Sequence, residues 1–191
     1  MLSFLIYITL FIYLLYILWI AEPLFVKRKI IAKKDNPNIS VIISARNESD
    51  NVNSLIKNLK QQTYPNNKFE VIIANDRSTD DTLRKLKELK QDFGNLKIIN
   101  IEKTKINWSP KKWALNQCIK ESKGDIILQT DADCIHNKTW IESMAQPFEE
   151  KNIGFVAGPS YMGVQNNFVN QLLKLESIAQ ESFTYANSKR K

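Results

Sequence analysis

At 191 residues, with 27 Lys and Arg against 20 Asp and Glu and a net charge of +7, the chain has room for one folded domain and one extra element. The basic excess does not point to nucleic acid, because no basic motif is interleaved with aromatics. The two cysteines, Cys118 and Cys134, lack metal-site spacing and read as free thiols in a reducing compartment.

The chain opens on an uncharged run, Met1 to Ala21. As a helix it would span roughly 30 Å, the thickness of a bilayer core. A cleaved signal peptide would want basic residues before the apolar run. Here the cluster Lys27, Arg28, Lys29, Lys33 and Lys34 follows it instead. The pattern predicts a single transmembrane anchor over 1–22 and a basic juxtamembrane linker over 23–37. The rest of the chain, 38–191, is expected on the cytoplasmic side of a cell (inner) membrane, with the cluster against anionic lipid.

After the linker, apolar strand-like runs alternate with helical spacing. Strands are predicted at Ile39–Ser44, Glu70–Asn75, Leu96–Ile101, Asp125–Thr130 and Ile153–Gly158. Helices are predicted at Asp50–Gln61 with Asp50 as N-cap, at Thr79–Gln91, and from Ser109-Pro110 to a stop at Gly124. Two more are predicted at Thr139–Glu150 and Asn166–Phe183. This order implies an α/β fold, a mostly parallel sheet with helices on both faces. Ligands in such sheets bind outside the carboxyl ends of the strands. Arg46-Asn47-Glu48, Asp76, and the pair Asp131 and Asp133 all follow predicted strands at that edge.

Asp131 and Asp133 suit a hard cation, Mg²⁺ or Mn²⁺, shared with a diphosphate. In an extended segment their side chains would point to one side. The alternative is a solvated loop, with Asp133 capping the next helix. Asp76 could accept from a uracil N–H or a ribose hydroxyl, whereas Ser78 to Asp81 read as helix caps. Lys111 and Lys112 sit at a helix N-terminus, where the dipole does not favour cations, which suggests a phosphate partner for one of them. Trp113, Leu115 and Ile119 read as packing. His136, the one histidine, reads as a solvated loop residue rather than a third ligand, and Cys118 as a small core residue.

In order, ISVIISARNES, EVIIANDRSTDDT, KKWALNQCIKESKGDIILQTDADC and GFVAGPS resemble the inverting, GT-A type glycosyltransferases of family 2, over residues 39 to about 160. The resemblance implies a nucleotide pocket lined by Ser44, Ala45, Arg46 and Glu48, with Asp76 at the uridine or its equivalent. It places Lys112 near the donor, Asp131 over the sugar and ribose side, and Asp133 as the chief metal contact. The implied reaction is attack of an acceptor hydroxyl on the anomeric carbon, with inversion and loss of a nucleoside diphosphate. The implied partners are a nucleotide-sugar donor, UDP-sugar favoured, and a lipid or glycan acceptor.

Family members carry a catalytic carboxylate well downstream of the metal motif. No residue before Lys191 matches it, and Glu176 and Glu181 are not motif matches, so the domain reads as incomplete at its C-terminus and no base is assigned. The alternative reading is a donor-binding remnant without catalysis, or a membrane-tethered module that pairs with another subunit. A nucleotidyltransferase or dehydrogenase is disfavoured by the lack of Gly-x-Gly-x-x-Gly and Gly-x-x-x-x-Gly-Lys.

Overall fold

The computed structural model describes residues 2–25, 36–150, 152–158, 168–172 and 177, with side chains described for 4–19 of the first helix. The chain divides into two compact units, Met1–Ile30 with Ala157–Lys191, and Ile31–Val156. The division falls inside the domain expected over 38–191. The basic cluster and the linker residues 26–35 lie outside the described residues, as do Glu176 and Glu181.

In the first unit, α1 runs Leu2–Phe25. Every large apolar side chain described on it, from Phe4 to Trp19, is exposed. Among the described residues, no helix is long and apolar enough to cross a membrane. Of the helix predicted over 166–183, residues 168–172 and 177 are helical and the rest lie outside the described residues.

The second unit is built on four parallel strands, β1 Ile39–Ala45, β2 Phe69–Asp76, β3 Leu96–Ile101 and β4 Ile126–Asp131, in the order β3-β2-β1-β4. Between them run α2 Val52–Lys60, α3 Thr82–Gln91 and α4 Pro110–Glu121. The path steps outward from β1 to β3, then returns past β1 to β4. Crossovers are right-handed, so a reversal of direction moves the connecting helix to the other face. Accordingly α2 and α3 pack on one face and α4 on the other.

On the α2/α3 face, Val41, Ile43, Val71, Ile73, Leu96 and Leu128 pack with Leu55, Ile56, Leu59 and Leu86. On the α4 face, Ile42, Ile72, Ala74 and Ile101 meet Ala114 and Cys118. The central strand β1 is therefore apolar at nearly every position, as a strand covered on both faces must be. The ISVII run, interrupted only by Ser40, whose buried hydroxyl donates to Glu70 Oε1 at 2.7 Å, is the sequence trace of that double burial.

Five predicted boundaries or elements differ from the sequence expectation. The second predicted helix begins at Thr82 rather than Thr79, because the side chains of 78–80 bond to another loop. α4 has Ser109 before it and Pro110 at its start, as predicted, but its C-cap is Ser122. Gly124 serves close packing instead, since a Cβ there would lie 2.4 Å from the Ser40 backbone nitrogen. The helix expected over Thr139–Glu150 stops as α5 Trp140–Ala145 and continues as a 3₁₀ turn, Gln146–Glu149. Pro147 cannot donate the bond that would extend it. The predicted strand Ile153–Gly158 is irregular, with Phe155 83% exposed. Asn51, not Asp50, precedes α2, with no side-chain capping bond.

Candidate active site at the carboxyl edge of the sheet

The reversal of strand order leaves a crevice between β1 and β4, beyond their carboxyl ends. The register pairs Ser44 with Ala74 on β2 and with Asp131 on β4. Side chains alternate along strands, so Ser44, Asp76 and Asp131 share the face that carries α4. From strand spacing and rise, the Asp76 and Asp131 backbones stand roughly 10 Å apart across the sheet and about 7 Å along it.

The loop after β1 is fastened to the loop after β2. Asn47 adopts a left-handed conformation, φ 56°. Its Oδ1 accepts from the Thr79 amide at 2.8 Å, and its own amide donates to Ser78 Oγ at 3.0 Å. Next along, the Glu48 amide donates to Thr82 Oγ1 at 2.8 Å and the Ser49 amide to Asp80 Oδ2 at 3.1 Å. Asp80 also accepts from the Thr82 hydroxyl and amide. These bonds, the Thr82 hydroxyl's first, hold its carboxyl at about 2. Ser78, Thr79 and Asp80 thus chiefly tie two site loops together, where helix capping was expected; only the Thr82 amide is capped.

Asp76 ends β2 with its side chain 3% exposed. Both its oxygens are engaged by the next residue: Arg77 Nε donates to Oδ1 at 2.8 Å and Nη2 to Oδ2 at 3.2 Å. Arg77 is itself left-handed, φ 54°, and its amide donates to Ile101 O. The hydrogen bond to Asp76 raises the Arg77 pKa, so the guanidinium is fixed as a cation.

Asp131 closes β4, and Lys111 of α4 reaches it, Nζ to Oδ1 at 2.8 Å. α4 runs against the strands, which brings its first turn to their carboxyl ends. The predicted extended segment through Asp133 is not found: β4 stops at Asp131, and Ala132 and Asp133 form a turn with Ala132 buried and Asp133 exposed. Among the described residues no group of three His, Cys, Asp or Glu side chains could hold a metal. What fits a cation is narrower. Asp131 is half exposed and already carries the positive ammonium of Lys111, with a second carboxylate two residues on. Such a pair suits an ion that draws its remaining ligands from substrate phosphates and water.

The other sequence candidates divide. Ser44 is half-buried at the crevice. Ala45 is fully buried, backbone included, so it packs behind the site and does not line it as the sequence suggested. Arg46 and Lys112 are exposed, and Glu48 is half-buried and accepts from Asn51 Nδ2 at 2.7 Å. His136 is not the solvated loop residue the sequence suggested. It bonds Thr130 Oγ1 through Nε2 at 3.1 Å and stacks on Trp140 at 4.0 Å, and burial lowers its pKa. Cys118 is core, its thiol pushed up to about 11 by burial. Trp113 is half-buried, edge-on to Trp108.

Sequence reasoning missed Arg77, named Asn47 only as part of Arg46-Asn47-Glu48 at the edge, and put Lys112 toward the donor where Lys111 is the lysine that meets Asp131. Only a polar residue directly after a strand marked the first two. A cavity of about 330 Å³, lined by residues including Asn36, Pro37, Tyr64 and Glu142, contains none of the candidates.

A family model described as "Glycosyl transferase family 2" matches residues 40–191. A beta-monoglucosyldiacylglycerol synthase of Nostoc sp. is 32% identical over 63% of this chain and 25% of its own length. Glycosyltransferase AglE of Haloferax volcanii is 28% identical over 64% of this chain and 39% of its own. The chain thus spans a quarter to two fifths of these relatives. Among solved structures, Staphylococcus aureus TarS 1–349 in complex with UDP-GlcNAc aligns at TM-score 0.52 and 25% identity, over 65% of this chain and 38% of that one. A Pyrobaculum calidifontis mannosyltransferase, solved with GDP-Man and Mn²⁺, shares the fold at TM-score 0.60 and 24% identity, over 83% of this chain and 45% of that one.

Proposed function

Because the chain belongs to glycosyl transferase family 2, we propose that it binds a nucleotide-sugar donor at the carboxyl edge of its sheet and serves sugar transfer to an acceptor hydroxyl. One observation carries this reading: Asp76 and Asp131 stand on one face at the strand-order reversal. The reading puts the nucleoside toward β2 and the sugar diphosphate toward β4. Ser44, Arg46 and Glu48 border the nucleotide, with Ala45 buried behind them. UDP is the favoured carrier, supported by the UDP-GlcNAc complex of TarS.

Asp131 and Asp133 would hold Mg²⁺ or Mn²⁺, which when bound supplies positive charge to the departing diphosphate. Lys111, rather than Lys112, is the lysine placed to share that task, since it already stands at Asp131. In this reading these residues bind and orient the donor. Removal of the acceptor proton is not assigned to any of them.

We further propose that α1 is a membrane anchor. A helix whose described side chains, 4–19, are apolar and exposed all round is poorly accommodated by water alone. The basic residues Lys27, Arg28 and Lys29 after it support a cytoplasmic side of the inner membrane for the domain. A lipid acceptor, or a glycan carried at the membrane, is then within reach, and the name of the Nostoc relative supports a lipid.

Two measurements test these readings. Calorimetry with UDP and Mn²⁺ should show binding that Asp133→Ala weakens, and equal binding by both proteins would remove the metal assignment. Alkaline carbonate should leave the full chain in the membrane fraction, and its release would remove the anchor.

A further inference from the structure

The exposed half of the Asp76–Arg77 pair is the arginine. Its side chain is 30% exposed, against 3% for the carboxylate. A ligand arriving at the end of β2 therefore meets the guanidinium first and the carboxylate behind it. The guanidinium is also held in one orientation. Nε and one N–H of Nη2 are spent on Asp76, which fixes the plane of the fork. The N–H groups of Nη1 and the second N–H of Nη2 stay available.

The backbone supports a selected role. Arg77 sits at φ 54°, a conformation that glycine adopts freely and other side chains rarely do. The turn itself would be satisfied by glycine, since its one backbone bond, to Ile101 O, needs no side chain. A strained backbone carrying an oriented, partly exposed cation at the ligand edge is the kind of feature that function retains.

We infer that Arg77 reads the donor base, donating to the C4 carbonyl of uracil, and that Asp76 is the positioning residue that locks its plane. The inference rests on the reading that a nucleotide binds at this edge, and it separates the two pyrimidine bases. Uracil presents carbonyls on both sides of N3–H. Cytosine replaces the C4 carbonyl with an amino donor, which would face the arginine donors without a bond. Arg77 thus selects uridine over cytidine carriers.

The test is UDP and CDP affinity of the full chain, with Mn²⁺ present, for wild type, Arg77→Gly and Arg77→Lys. Wild type should favour UDP by about tenfold or more, since a hydrogen bond from a charged group is commonly worth that much. Arg77→Gly should lose most of this ratio, chiefly through weaker UDP binding. Its carboxylate partner is then left buried without a cation, and this variant could misfold. Arg77→Lys keeps a cation against Asp76 but has no planar fork, so it should stay folded and still let the ratio fall toward one. A fold defect alone would weaken both nucleotides alike and leave the ratio intact.

A preserved ratio in a folded Arg77→Lys overturns the inference, as does equal binding of UDP and CDP by wild type; in either case Mn²⁺-dependent nucleotide binding leaves the donor reading standing. No nucleotide binding by wild type would overturn both.

Discussion

Lys111 stands where a divalent cation would be drawn, and its removal should have opposite effects with and without nucleotide. In the free protein its ammonium lies 2.8 Å from Asp131 Oδ1, with the two side chains 56% and 49% exposed. An exposed pair of this kind is worth ~0–1 kcal/mol. Metal entering at Asp131 must displace the ammonium, so Lys111→Ala should tighten Mn²⁺ binding in the absence of nucleotide by up to about fivefold. High salt should shrink that gain, because both groups are open to screening. With UDP present the sign should invert. The displaced ammonium then faces the diphosphate, and a charge-assisted hydrogen bond commonly contributes ~1.5–3 kcal/mol. Less the pair it gives up, the net loss in Lys111→Ala is about threefold or more in UDP affinity. Electron paramagnetic resonance of free Mn²⁺, titrated with and without UDP, reads both arms. Weaker metal binding by Lys111→Ala without nucleotide, or no change in either arm, would refute the reasoning.

Other predictions follow from contacts away from that pair. Gly124→Ala would force a Cβ against Ser40 N at 2.4 Å and Ile39 C at 2.6 Å, both backbone. It should cost at least ~1–3 kcal/mol in denaturant unfolding as β4 is pushed from β1, and an unchanged midpoint would contradict the close approach. Thr82→Val keeps shape but strips the acceptor from the Glu48 amide, so it should cost ~1–3 kcal/mol and speed proteolysis within 46–51. Asp80 should make the loop tie acid-sensitive. Its folded pKa of about 2 lies below the ordinary 3.8 of an aspartate, so its stabilisation is present above 3.8 and lost as pH falls toward 2. Amide exchange of Ser49 should rise in that window, and Asp80→Asn should abolish the pH dependence. Cys134 should react with a thiol reagent well before Cys118, which is buried with its thiol pushed up to about 11; comparable rates would mean that α4 opens readily.

The parallel sheet was legible because its evidence is redundant. Each of the four strands is a short apolar run, and the helices between them bury residues at 3.6 spacing, as in Val52, Leu55, Ile56 and Leu59. Burial on both faces of β1 makes that run hard to misread. The boundaries that failed were set by single long-range contacts. Gly124 looks like a helix stop in sequence, yet its small size is required by Ser40, which lies 84 residues away in the chain. Ser78 and Asp80 look like caps because Ser and Asp are good caps. Their actual partners are amides of a loop about 31 residues earlier. Asp131 was found because a carboxylate directly after an apolar strand is conspicuous. That Lys111 rather than Lys112 meets it depends on the direction of α4 over the sheet, which local pattern does not encode.

Strain completes the argument about where this fold works. Among the described residues three non-glycine positions adopt positive φ: Asn47, Arg77 and Asn107. They follow β1, β2 and β3 respectively, all in connections that begin at the carboxyl edge. Each such residue costs on the order of 1 kcal/mol or more over a relaxed backbone. Asn47 uses the conformation to fasten two loops, and Arg77 uses it to close on the carboxylate that ends its own strand. The rigid parallel sheet stabilises the whole, and the conformational cost is concentrated where a nucleotide would be held. Replacing Asn47 with glycine should therefore relax the backbone yet loosen the loop, because the Oδ1 that binds Thr79 would be gone. A variant that gained stability and kept full donor affinity would show that the strain at this edge serves no binding purpose.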